Sequence, residues 1–166
     1  MDKKTHSKRE HELLQRATAA LPQGTLGNLS YDRIIKKGKG SHIWDESGNK
    51  YIDYLLGSGP MIVGHSHPEV NAAVQEQIDM GTTFFATNEK SILLAEEIIN
   101  AVPCAEKVRY CSTGSEATLY AMRAARAFRA RDKILKFEGG YHGMHDYSLM
   151  SLMPKVEVEY PVPSID

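Results

Sequence analysis

Val108-Arg109-Tyr110-Cys111-Ser112-Thr113-Gly114-Ser115-Glu116-Ala117 joins two runs of different periodicity, and this joint decides the fold class. Before it, Lys107 to Cys111 is a short strand-like run. After it, Ala117, Tyr120, Ala121, Ala124, Ala125 and Phe128 recur at helical spacing, which predicts a helix from about Ser115 to Arg129. A second strand-like run, Lys133 to Phe137, follows, and Tyr147 to Leu152 is a further candidate strand. Strand, helix, strand at this spacing is a βαβ unit, so an α/β domain is expected.

Upstream, the chain has a different character. Leu13, Leu14, Ala17, Ala20 and Leu21 predict a helix from about His6 to Leu21, stopped by Pro22-Gln23-Gly24. Three short β-branched and aromatic runs come next: Arg33 to Lys37, Ser41 to Asp45 and Lys50 to Leu56. Gly38-Lys39-Gly40 and Glu46-Ser47-Gly48-Asn49 separate them, as in an antiparallel meander, and Gly57-Ser58-Gly59-Pro60 breaks the last one. Near residue 65 the composition changes: Val70, Ala73, Val74, Gln77 and Ile78 predict one helix, and Ile92, Ala95, Ile98, Ile99 and Val102 another. The expected division is therefore 1–65, an N-terminal helix with the meander, and 66–166, the start of the α/β domain. The tail from Pro154 to Asp166 holds three prolines and no closing element, so it reads as an interruption of that domain.

Composition narrows the function classes. With 20 Lys+Arg against 21 Asp+Glu the formal net charge is -1, which gives no reason to expect nucleic acid or an anionic membrane as partner. Cys104 and Cys111 have neither metal-ligand spacing nor further partners, as expected of reduced thiols. Met1 to Glu12 carries no apolar leader core, and no later run approaches a membrane span, so the chain is expected to be cytoplasmic.

Two segments carry candidate chemistry. The entrance of the Ser115 helix offers free backbone N–H groups at the positive end of the helix dipole, with hydroxyls on Thr113 and Ser115 beside Gly114, which suits a phosphate monoester. Thr113-Gly114-Ser115-Glu116 is equally a capping box, and a capped helix can still present its other amides. After the next strand, Phe137-Glu138-Gly139-Gly140-Tyr141-His142-Gly143-Met144-His145-Asp146 falls where βαβ units bind ligands. Tyr141 on this glycine-framed loop can stack on a planar ring with His142 beside it, or it can be a core aromatic at a tight turn. The histidines of His65-Ser66-His67 and His142-Gly143-Met144-His145 offer metal ligands, but neither spacing matches a helical zinc motif. A non-catalytic α/β module holding some other phosphate-bearing ligand near Gly114 is the rival reading.

Taken together, Gly40-Ser41-His42-Ile43-Trp44-Asp45, Gly48-Asn49-Lys50-Tyr51-Ile52-Asp53, Gly64-His65-Ser66-His67-Pro68, Val108-Arg109-Tyr110, Thr113-Gly114-Ser115-Glu116-Ala117 and Lys136-Phe137-Glu138-Gly139-Gly140-Tyr141-His142-Gly143 resemble the class III aminotransferases. The closest resemblance is to their glutamate-1-semialdehyde aminomutase branch. It covers nearly the whole chain after about Leu21 and implies a fold type I transferase dependent on pyridoxal 5'-phosphate. The chain would be its N-terminal portion: a small antiparallel segment and an incomplete large α/β domain. The resemblance further implies amino-group transfer on a small amine or amino acid, and a homodimer when the protein is full length. By position Gly114 and Ser115 match the residues that bind the cofactor phosphate, with Thr113 as helper; Tyr141 matches the aromatic stacked on the pyridine ring, and His142 is its motif neighbour.

In the family the ring-nitrogen Asp and the Schiff-base lysine lie well downstream of the Tyr-His-Gly motif, so the resemblance implies both beyond Asp166; Lys107, Lys133, Lys136 and Lys155 match no Schiff-base motif. No catalytic residue is therefore assigned within the chain, and alone it is expected to be inactive. The aminomutase branch carries an arginine in a Ser-Pro-Val-Arg stretch soon after Leu-Pro-Gly-Gly. Here Leu21-Pro22-Gln23-Gly24-Thr25-Leu26-Gly27-Asn28-Leu29-Ser30 has no Arg before Arg33. Aminomutase and aminotransferase substrates both stay open.

Overall fold

A computed structural model describes residues 6–26, 32–150 and 152. The chain divides into two compact units, Met1–Phe85 and Ala86–Asp166, a division later than the change of composition near residue 65.

In the first unit, helix α1 spans Lys8–Ala20 and begins at Ser7, whose hydroxyl accepts from the Glu10 amide at 3.2 Å. Strands β1 (Ile35–Lys39), β2 (His42–Asp45) and β3 (Lys50–Ile52) form an antiparallel sheet in that order, with Lys39 opposite His42 and Trp44 opposite Lys50. The expected meander is present, with a register shift between Ile35 and Lys37. Its third strand stops earlier than expected, at Ile52 instead of Leu56. The cause is local: the Asp53 carboxylate accepts from the amides of Leu55 and Leu56 at 2.9 and 3.0 Å, curling the chain out of the ladder.

Two buried carboxylates hold this unit. Glu10 is fully buried, and it accepts from the Ile34 amide at 2.9 Å and from the Ser47 hydroxyl, so α1 is tied to both ends of the β1–β2 hairpin. Asp45, 1% exposed, accepts from the Asn49 amide at 2.7 Å, the Asn49 side chain at 2.9 Å and the Tyr51 hydroxyl at 2.7 Å. Burial pushes the Asp45 carboxyl up, but hydrogen bonds from Asn49, Tyr51 and the backbone outweigh it and hold the group below its ordinary value.

The segment after the sheet folds back onto the first hairpin. Gly40 and His65 exchange backbone hydrogen bonds at 2.8 Å in each direction, and the His65 ring meets Asp53 at 2.7 Å. Gly38 admits that ring: a Cβ there would stand 2.4 Å from His65 Cγ. His65 is thus a bridge residue paired with Gly40, three positions before helix α2 (Pro68–Met80).

The second unit contains α3 (Glu89–Ala101), α4 (Gly114–Arg129) and the four-residue α5 (Asp146–Leu149). Asn88 caps α3 by accepting from the Ser91 amide at 3.0 Å. One expectation fails here. Lys107 to Cys111 and Lys133 to Phe137 carry no ladder, and among the described residues all strands belong to the meander. A parallel strand draws its hydrogen bonds from neighbours distant in sequence, and no neighbouring strand flanks either run. Tyr110 is held instead by its hydroxyl, which donates to Ser91 O at 2.7 Å, and Lys136 donates to Ser148 O at 3.0 Å.

The candidate strand from Tyr147 to Leu152 is also corrected. Its first residues lie in α5, because His145 O accepts from the Ser148 and Leu149 amides at 2.8 and 3.1 Å and closes a helical turn. Ser151 and the proline-bearing tail lie outside the described residues. No helix among the described residues is long and apolar enough to cross a membrane.

Candidate functional site

Helix α4 starts with both halves of a capping box. The Thr113 hydroxyl accepts from the Glu116 amide at 3.1 Å, and the Glu116 carboxylate accepts from the amides of Ser112 and Thr113 at 2.8 and 3.2 Å. The Ala117 amide is bound to Thr113 O at 3.1 Å. Capping therefore consumes the amides of Ser112, Thr113, Glu116 and Ala117. Those of Gly114 and Ser115 have no acceptor among the described residues. A Cβ built on Gly114 would meet nothing within 4 Å, so the backbone here borders open space.

The glycine-framed loop faces this turn. Gly143, at φ +105°, packs so closely that a Cβ would stand 2.9 Å from Ser115 Cα and 3.0 Å from Thr118 Oγ1. The next amide, Met144 N, donates to Ser115 Oγ at 2.9 Å. That bond occupies a lone pair of the hydroxyl and leaves its hydrogen free to donate elsewhere. Thr113, Gly114, Ser115, Thr118, Tyr141, His142 and Gly143 together line one cleft of about 430 Å³. Tyr141 is 63% exposed, so it is not a core aromatic. His142 contributes a buried Nε2 with no hydrogen-bond partner in the protein.

All five residues singled out from the sequence, Thr113, Gly114, Ser115, Tyr141 and His142, meet in this cleft. Thr118 and Gly143 were missed, although the sequence held a signal for each: Thr118 lies one helical turn after Gly114, on the same face, and Gly143 is the third glycine of its loop. His145, weighed only as a metal ligand, instead pairs its Nε2 with Thr118 Oγ1 at 3.1 Å. Among the described residues no three His, Cys, Asp or Glu side chains converge as a metal-ligand set.

The sequence model of the family described as aminotransferase class-III matches residues 26–162, most of the chain. The chain belongs to the class III aminotransferases. Among relatives of this family, a glutamate-1-semialdehyde 2,1-aminomutase of Methanococcus vannielii is 49% identical over 117 residues, 70% of this chain and 27% of the relative.

Solved transaminase structures superpose on most of the chain. An omega-transaminase from Sphaerobacter thermophilus matches with a TM-score of 0.81 and 34% identity, over 86% of this chain and 33% of its own. A transaminase with PLP bound matches with a TM-score of 0.83 and 31% identity, over 89% and 36%. The fold is accordingly part of the fold type I transferase, with the small antiparallel segment and an incomplete α/β portion. The chain spans about a third or less of the proteins it matches.

Proposed function

We propose that the protein carrying this chain moves amino groups with pyridoxal 5'-phosphate, and that the cleft between the start of α4 and the Tyr141 loop holds the cofactor. One observation carries the reading: two uncommitted helix-entrance amides, a hydroxyl with its hydrogen free and an exposed aromatic ring border the same cleft. The donor set fits a phosphate, and the cleft volume falls within the range of small-molecule sites, about 300–1,000 Å³. The Gly114 and Ser115 amides and the Ser115 hydroxyl donate to phosphate oxygens, and the Thr113 hydroxyl, already accepting from Glu116, adds a further donor. Tyr141 covers one face of the pyridine ring, with the unpartnered His142 Nε2 at the margin. Bound there, pyridoxal phosphate supplies the electron sink that amino-group chemistry requires.

The amino group moves either between two molecules, as in the transaminases this chain resembles, or between adjacent carbons of one, as in the aminomutase. As the family resemblance implies, the Schiff-base lysine and the ring-nitrogen Asp are contributed from beyond Asp166. On this reading the 166-residue chain alone transfers no amino group, the full-length protein acts on a small amine or amino acid, and it works as a homodimer in the cytoplasm. The test compares pyridoxal phosphate with pyridoxal as ligands of the full-length protein by titration calorimetry. Wild type should prefer the phosphate ester by at least about a hundredfold, and Ser115→Ala should lose about tenfold of that preference. Equal affinity for the two ligands, or a preference untouched by Ser115→Ala, would refute it.

A further inference from the structure

The two walls of the cleft come from separate stretches of chain, and their spacing must be fixed for a phosphate and a ring to be gripped at once. Helix α4 supplies one wall, and the Tyr141 loop the other. Beyond the Met144–Ser115 bond, the side-chain pair nearest the cleft that joins them among the described residues is Thr118 and His145 at 3.1 Å. Thr118 Oγ1 also lies 3.1 Å from both Gly114 O and Ser115 O, the residues whose amides open into the cleft. His145 Nδ1 is buried without a partner. A buried N–H without an acceptor costs more than a buried lone pair, so the ring proton belongs on Nε2. Nε2 then donates to Thr118 Oγ1, and the Thr118 hydrogen turns back to the carbonyls of the first turn.

The loop end is anchored by further contacts, one of them to the far end of α4. The Ser148 hydroxyl, fully buried, shares its one hydrogen between Gly143 O at 2.6 Å and His145 O at 2.8 Å, and the Arg126 guanidinium lies 4.4 Å from the centre of the Tyr147 ring. His145 therefore reaches Thr118 from a backbone held at both sides.

We infer that Thr118 and His145 are positioning residues: their hydrogen bond sets the distance between the phosphate-binding turn and the ring-covering Tyr141 without either residue reacting. The inference rests on the proposed cofactor site. Losing the bond should leave the anion site itself intact, because its amides are fixed by the capping box, while the grip on a ligand that spans both walls weakens.

The experiment uses the full-length apoprotein and titrates it with pyridoxal phosphate and, separately, with inorganic phosphate. Thr118→Val and His145→Phe should each weaken pyridoxal phosphate binding by about tenfold and change phosphate binding by less than about twofold. The double variant should be no worse than the weaker-binding of the two single ones, since both remove the same bond. Thr118→Ser should restore wild-type affinity, and the visible circular dichroism of the bound cofactor should change in the two disrupted variants and return in Thr118→Ser. Equal losses for both ligands, additive losses in the double variant, or unchanged cofactor affinity would overturn the inference. Full response of wild type to Ser115→Ala alongside such a result would leave the cofactor site standing and remove only the positioning role. A wild type with no cofactor affinity would remove both.

Discussion

Replacing Gly143 with alanine tests the close approach on which the cleft depends. Two costs add there. At φ +105° an L side chain is strained, by about 1–2 kcal/mol for a left-handed backbone. The new Cβ would also stand 2.9 Å from Ser115 Cα, a backbone atom in a capped helical turn that has no rotamer by which to escape. Overpacking of that kind costs about 1–3 kcal/mol, so the total is about 2–5 kcal/mol. Gly139 provides the control: its φ is +71°, yet a Cβ there would meet nothing within 4 Å, so Gly139→Ala carries only the backbone term. Urea unfolding followed by circular dichroism should show Gly143→Ala lower in midpoint than Gly139→Ala by the steric difference, with unchanged slopes. Equal destabilisation of the two variants would mean that the loop does not rest on the helix, and the description of the cleft would fail with it.

Acid stability follows from two carboxylates of the first unit. Asp45 is held below its ordinary value of 3.8, so its contribution is complete above that value and is lost as pH falls through the folded-state pKa. Asp45→Asn should be less stable at neutral pH and show a flatter acid limb in thermal melts between about pH 2 and 5; a limb as steep as that of wild type would refute this. Asp53 is likewise lowered, chiefly by the hydrogen bond from His65, and its contribution disappears in the same direction. A double-mutant cycle of Asp53→Asn with His65→Ala, at a pH above the aspartate range, should give a coupling of about 1–2 kcal/mol, and additive effects would show that the 2.7 Å contact contributes nothing.

The meander was legible because its signals are local. Gly40 and Gly48, both at positive φ, mark the turns, and β-branched and aromatic residues fill the runs between. Helix α4 was legible for the same reason, its cap and apolar stripe being contiguous. Its predicted strand neighbours were not, since a parallel strand becomes one through partners that its own residues do not encode. Tyr147 to Leu152 was misread because Tyr, Leu and Met suit a strand, whereas the state of this stretch is set by the carbonyl of His145, which binds two amides ahead of it. At the candidate site the residue types were readable and their second partners were not. Nothing in the sequence around His145 indicates that its ring meets Thr118 across 27 positions.

That separation gives the cleft an order of assembly. The capping box is complete within Ser112 to Ala117, so the anion-facing turn needs only its own neighbourhood and forms on the timescale of helix growth. The aromatic wall arrives only after the chain from Thr118 to His145 has closed into a loop, at an entropic cost that rises with the logarithm of its length. During synthesis, which adds about 5–20 residues per second, the residues of the anion-facing turn therefore precede His145 by a second or more.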